Sequence, residues 1–158
     1  IVGIDVRTIC DDFYGDHAKT FSVGSISNEK QKLLDVTRES LILGIKEVKV
    51  NAKIGNIGSV IQNFVEKNGF SVVRELVGHG IGRKLHEEPQ VPNFGAYNQG
   101  PLIEDGLCLA IEPMINMGSF EVHTKEDNWT ISTSDGLPSA HFEHSIALID
   151  NKVKILTL

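Results

Sequence analysis

The start of the chain is rich in residues that favour β-strands and is interrupted by one polar pair. Residues 1–9 and 13–23 are β-rich runs, and Asp11-Asp12 between them suits a tight turn. The two runs are therefore predicted to form a hairpin in which Asp16 lies opposite Arg7. A hairpin at the start favours an antiparallel sheet.

Two later segments have the apolar spacing of helices. Apolar residues recur at intervals of three, four and seven from residue 28 to about 48, which predicts a long helix. A shorter helix is predicted from about residue 56 to 67, and Asn68-Gly69 ends it.

The rest of the chain predicts strands and one long loop. Residues 87–106 contain three prolines and are expected to form a surface loop. Strands are predicted at residues 70–77 and 107–111, one extended piece at 121–133, and a hairpin of 140–149 with 153–158 around Asp150-Asn151. A hairpin, two helices and further strands predict the α+β class, with an antiparallel sheet carrying helices on one face.

The length of the chain favours a single domain. At 158 residues the chain is long enough to bury a core, so we expect one domain over residues 1–158. It begins at Ile1 inside an apolar run and without Met, so we expect a fragment that lacks an N-terminal part.

The formal net charge of -6 and the absence of a basic block argue against a nucleic-acid partner. No apolar run approaches the ~20 residues that span a bilayer, so a soluble protein without a membrane partner is expected. The two cysteines form no Cys-x-x-Cys pair, which favours the reducing cytoplasm.

Four acidic residues stand in β-rich, apolar surroundings. Asp5 and Asp16 are predicted to be diagonal neighbours across the hairpin, with Cβ atoms ~7 Å apart, where like charges repel unless a cation separates them. Two solvated strand carboxylates are the alternative. Glu112 and Glu143 interrupt apolar runs, where burial of an unpartnered carboxylate costs several kcal/mol. A metal ion would supply that partner.

Two histidines lie in the glycine-rich segment 77–89. Glycines on both sides of His79 permit close backbone approach and a positive φ, so its imidazole can be directed into a site. A lone histidine would more often be structural. His86 suits contact with a substrate carbonyl. Four carboxylates and one imidazole form a hard ligand set suited to two ions of manganese, iron(II), cobalt or zinc.

The motifs occur in a characteristic order. They are Ile4-Asp-Val6 with Gly15-Asp16, Gly78-His-Gly-Ile-Gly-Arg83 with His86-Glu-Glu-Pro89, Ile111-Glu-Pro-Met114, and Ser139-Ala-His-Phe-Glu-His144. Together they resemble the catalytic domain of type I methionine aminopeptidases, which have the pita-bread fold that prolidase and aminopeptidase P share. The resemblance covers the whole chain.

The resemblance implies a dinuclear metal site with a bridging water. Its five ligands would be Asp5, Asp16, His79, Glu112 and Glu143. Asp16 and Glu143 would bridge both ions, and Glu112 would also be the general base. His86 would bind the substrate backbone as a second catalytic residue.

The implied reaction is hydrolysis that releases the N-terminal methionine of nascent or unfolded chains, with ribosome-associated chains as further partners. Trp129 would form a wall of the methionine pocket, unless it is an ordinary sheet-face aromatic. Leu85, where the family usually has Phe, would reshape that pocket. His17 is expected to face solvent, and His141, where Gln is frequent, to lie outside the ligand set.

Other functions stay open. A prolidase-like or aminopeptidase P-like exopeptidase shares the five ligands, but prolidases tend to continue with an acidic residue after the last ligand, whereas Phe142-Glu143-His144-Ser145 resembles the methionine type. A non-catalytic pita-bread binding domain usually loses ligands, and all five are present here. A half-domain that binds metal or a partner without turnover is the third alternative.

Overall fold

The computed structural model describes all residues from 1 to 158. The chain forms two helices and twelve strands. In chain order these are β1 (Val2–Cys10), β2 (Phe13–Phe21), α1 (Asn28–Lys46), α2 (Ile54–Lys67), β3 (Ser71–Val72), β4 (Gly78–Gly80), β5 (Glu87–Val91), β6 (Cys108–Ile111), β7 (Met114–Asn116), β8 (Val122–Thr124), β9 (Ile131–Thr133), β10 (Ser139–His141), β11 (His144–Ile149) and β12 (Lys152–Ile155).

Strands β1 and β2 form the predicted hairpin. Asp11 and Asp12 have φ values of 48° and 64°, the left-handed conformation that a two-residue type I′ turn requires. Arg7 pairs with Asp16 and Asp5 with Ala18, which confirms the predicted register. Because side chains alternate between faces, Asp5, Arg7 and Asp16 share one face of the hairpin.

A five-stranded antiparallel sheet, in the order β12-β11-β6-β4-β5, forms the largest layer. Strands β10, β7 and β3 form a second sheet, and β8 with β9 a separate hairpin. The hairpin β1-β2 is attached through β2, since the Glu143 N–H donates to the Ala18 carbonyl at 2.8 Å. The Asp16 N–H donates to Ser145 Oγ at 2.9 Å. These bonds bring Asp16 beside Glu143, 127 positions away in sequence.

The two helices pack against each other and against the sheets, around one core. Helix α1 begins after Ser27, whose side chain accepts a hydrogen bond from the Lys30 N–H, a typical N-cap. A Cβ at Gly44 would lie 2.7 Å from Ile61 Cδ1, so this glycine permits the close contact between the helices. Neither helix combines the length and apolar character needed to cross a bilayer.

The structure differs from the predicted strands in four places. Only Ser71–Val72 of the run 70–77 is a strand, because the chain there crosses from the sheet of β7 to that of β6. Residues 87–91 form β5 rather than loop. As an edge strand, β5 tolerates Pro89, which donates no ladder hydrogen bond.

The third and fourth differences lie in the C-terminal part of the chain. Residues 121–133 form the hairpin β8-β9 instead of one extended piece. Ser139–His141 pairs with β7, so only His144–Ile149 belongs to the predicted hairpin with β12. The turn at Asp150-Asn151 is confirmed, with φ values of 51° and 60°.

Candidate metal centre

A cavity of about 920 Å³ brings together side chains that are distant in sequence. Its wall includes Asp5, Arg7, His79, His86, Glu112 and His141. Asp16 and Glu143 are buried next to it, each 2 % exposed. One potential ligand atom from each of Asp16, His79 and Glu143 lies within 4.8 Å of the other two. All five predicted ligands therefore belong to one region.

Close packing of β4 determines the position of His79. A Cβ at Gly78 would lie 2.4 Å from the Ala110 carbonyl oxygen, and one at Gly80 2.3 Å from the Glu88 carbonyl oxygen. The predicted close backbone approach is thus confirmed. Neither glycine has a positive φ, so their role is the absence of a side chain between β5 and β6.

A hydrogen bond defines the tautomer of the buried His79. Its Nδ1 lies 2.9 Å from the Gly80 carbonyl oxygen, which only accepts, so Nδ1 carries the proton of the neutral ring. The lone pair of Nε2 then faces the site, 3.5 Å from Glu112 Oε1. This tautomer leaves Nε2 free to bind a metal ion.

The buried carboxylates lack enough positive partners within the protein. Burial, followed by the nearby charges of Glu112, Asp16 and Asp5, raises the pKa of Glu143 to about 9. Burial and then Asp5 likewise raise the pKa of Asp16, although Arg7 opposes the shift. Oδ1 of Asp16 and Oε1 of Glu143 have no hydrogen-bond partner. Buried oxygens that lack donors and repel each other fit a divalent cation.

Two of the three predicted substrate residues do not line this cavity. His86 lies in it, and its ring meets that of His79 edge-on with centroids 4.4 Å apart. Leu85 and Trp129 are not among the lining residues. Trp129 is 84 % exposed between β8 and β9, where Asp127 accepts hydrogen bonds from the N–H groups of Trp129 and Thr130 and holds the turn.

Three neighbours of the site were not assigned to it from sequence. His141 lines the cavity, with Nε2 3.6 Å from Glu112 Oε2; its expected place outside the ligand set stays a prediction. His17 was expected to face solvent but donates from Nδ1 to the Glu143 carbonyl at 2.6 Å, because β2 packs against β11. Arg7 pairs with two carboxylates. The predicted register, which places Arg7 opposite Asp16, was the sequence signal that could have assigned Arg7 to the site.

A substitution tests the packing around β4. Gly78→Ala is expected to destabilise the protein by about 1–3 kcal/mol, because the added methyl group must displace backbone. It should also reduce metal binding by moving His79. Gly3→Ala is the matched control, since its Cβ would lie 3.7 Å from Thr20 Oγ1, an ordinary contact. Urea unfolding and metal titration would measure both effects; equal behaviour of the two variants would contradict the packing role.

The antiparallel fold and the cluster of carboxylates and imidazoles together define a metallopeptidase-like domain. The chain belongs to metallopeptidase family M24, whose sequence pattern matches residues 1–150. It is 51% identical to a methionine aminopeptidase of Clostridium perfringens, over 100% of this chain and 64% of that protein. It is 50% identical to methionine aminopeptidase 1 of Bacillus subtilis, over 99% of this chain and 63% of that protein.

Solved structures agree with this assignment. The methionine aminopeptidase from Rickettsia prowazekii superimposes with a TM-score of 0.97 at 39% identity, covering 99% of this chain and 63% of that one. A prolidase from Pyrococcus furiosus, 19% identical with a TM-score of 0.79, shares the fold. The predicted pita-bread fold is confirmed. The chain spans somewhat less than two thirds of the length of these aminopeptidases.

Proposed function

We propose that this domain removes the N-terminal methionine from nascent or unfolded polypeptides by metal-dependent hydrolysis. The observation that carries the proposal is the cluster of Asp16, His79 and Glu143, whose ligand atoms lie within 4.8 Å of one another. Asp5 and Glu112 line the adjoining cavity. The proposed ligands of two divalent ions, manganese, iron(II), cobalt or zinc, are Asp5, Asp16, His79, Glu112 and Glu143.

Bound divalent ions would supply Lewis-acid polarisation of the scissile carbonyl and would lower the pKa of a water molecule toward neutrality. The protein groups have separate tasks. Glu112 would accept the proton of the attacking water and pass it to the leaving amine. His86, exposed at the cavity wall, would donate a hydrogen bond to the substrate carbonyl. The hydrogen bond to Gly80 would hold His79 in its ligand tautomer.

The cavity also suits the end of a peptide. Two carboxylates that line it outside the proposed ligand set, Glu87 and Glu88, would attract the positively charged terminal amine of a substrate. The apolar lining residues Leu76, Val77 and Met114 offer contacts for a methionine side chain. The predicted roles of Leu85 and Trp129 in this pocket stay predictions.

Action in the cytoplasm, on chains that emerge from ribosomes, is part of the proposal. Both cysteines are free thiols, and a reducing compartment maintains cysteines in that state. Pull-down of translating ribosomes with the purified protein would test the ribosomal partner, and co-purification of the protein with the ribosomes is expected. Recovery of the protein only in the unbound fraction would contradict this part of the proposal.

Metal analysis and two peptides test the reaction itself. We expect two manganese or cobalt ions per chain, cleavage of Met-Ala-type peptides and no cleavage of Ala-Pro-type peptides. A chelator should abolish turnover, and added metal should restore it. Preference for Ala-Pro would support the prolidase-like alternative. Absence of bound metal would support a non-catalytic binding domain.

A further inference from the structure

An arginine lies within the proposed metal centre. Arg7 follows Asp5 by two residues on β1 and pairs directly with Asp16 on β2, so all three side chains share one face. Arg7 Nε lies 3.3 Å from Asp16 Oδ2, and its Nη2 lies 3.8 Å from Asp5 Oδ2. One guanidinium group therefore spans both carboxylates that the hairpin contributes.

The charge balance of the centre makes this contact consequential. The four carboxylates Asp5, Asp16, Glu112 and Glu143 balance two divalent ions, with His79 neutral. The guanidinium adds one positive charge to that balanced set. A unit charge about 5 Å from a divalent ion weakens its binding by about tenfold in a water-like dielectric, and by more in a partly buried site.

Arg7 and Asp16 differ in their freedom to move. The Arg7 side chain is 47% exposed, whereas that of Asp16 is 2% exposed. Arginine has a long side chain with several rotatable bonds, so its guanidinium can move into solvent without a change in the backbone. Asp16 is held by β2 and cannot leave with it. An incoming ion would displace the arginine rather than the carboxylate.

We propose that Arg7 is a built-in competitor of one divalent ion at Asp5 and Asp16. The inference rests on the proposed dinuclear centre. Without that ion, the guanidinium neutralises part of the repulsion between the two carboxylates. When the ion binds, the guanidinium moves out of the centre. Arg7 thereby raises the metal concentration at which the site that includes Asp5 is filled.

Calorimetric titration with Mn²⁺ tests this competition. Arg7→Gln should bind one of the two ions at least about tenfold more tightly than the unsubstituted protein, while its metal-free form unfolds at a lower temperature. Arg7→Lys, which retains the charge, should stay within about threefold of the unsubstituted protein. Arg38→Gln is the matched control, because Arg38 lies on α1 and pairs with the exposed Asp35. It should leave both affinities unchanged.

The opposite result would overturn the proposal. If Arg7 only oriented Asp16 for coordination, Arg7→Gln would bind Mn²⁺ more weakly or equally well. If the unsubstituted protein binds two ions and Arg7→Gln binds neither ion more tightly, the competition is rejected. The proposed function is then unaffected. Failure of the unsubstituted protein to bind Mn²⁺ would reject both.

A second measurement uses only the unsubstituted protein, so it does not depend on whether a variant folds. The arginine reagent phenylglyoxal, followed by peptide mass analysis, would report the reactivity of Arg7 in the unsubstituted protein, with Arg38 as internal reference. Saturating Mn²⁺ should increase the modification rate of Arg7 relative to Arg38 severalfold. An unchanged or lower rate would show that the guanidinium does not leave, and would overturn the proposal.

Discussion

Replacement of Glu143 by Gln is expected to abolish metal binding and turnover while making the metal-free protein more stable at alkaline pH. The carboxylate is 2 % exposed, and burial raises its pKa from 4.5 to about 9. Between these pH values the folded metal-free protein holds a proton that the unfolded chain releases. Its stability therefore falls as pH rises through that window, by several kcal/mol in total.

The Gln side chain has nearly the same shape and no charge, so this loss of stability should disappear in the variant. Urea unfolding with chelator at several pH values from 5 to 9 would measure the slope, and metal analysis the occupancy. Glu126→Gln makes the same change in charge at an exposed position and should behave like the unsubstituted protein. Unchanged metal content and turnover in Glu143→Gln would refute the bridging role.

Substitutions of the two histidines in the glycine-rich segment are expected to have different effects. One should remove metal, and the other should impair catalysis with the metal retained. His79→Ala removes a buried imidazole whose lone pair faces the site. We expect loss of at least one ion and a fall in kcat of at least about 10³-fold, because the ion supplies most of the charge stabilisation. His86→Ala should retain both ions and lower kcat about 10²-fold, the usual cost of a lost hydrogen-bond donor to a developing negative charge.

Metal analysis together with steady-state kinetics would distinguish these outcomes, although the centroids of the two rings lie only 4.4 Å apart. His123→Ala on the exposed strand β8 is the control for loss of an imidazole. Equal loss of metal in His79→Ala and His86→Ala would contradict the division of roles. Full activity of His86→Ala would remove it from the catalytic residues.

Local sequence signals predicted the parts of the fold in which neighbours in sequence interact. The turn at Asp11-Asp12 determined the register of β1 and β2, and that register alone placed Arg7 opposite Asp16. The apolar spacing predicted both helices, the first starting at residue 28 as observed and the second starting two residues earlier than predicted. Predictions were less accurate where strands are short and the chain crosses from one sheet to another, as at residues 70–77.

In the proposed site, too, some features were predictable from the sequence and others were not. Residue type and motif order identified Asp5, Asp16, His79, Glu112 and Glu143 as candidate ligands, whose ligand roles stay proposals. The inward positions of His141 and His17 were not predictable, because each depends on an element distant in the chain.

By itself, the amino-acid sequence determined the hairpin register, the two helices and the set of acidic and imidazole side chains available for chemistry. Those features depend on turn residues, apolar spacing and side-chain type, which act over a few positions. Only the tertiary structure decided that Asp16 and Glu143 are buried side by side and that Arg7 reaches two carboxylates. Burial and electrostatic repulsion depend on distances in space, and packing of β2 against β11 sets those distances.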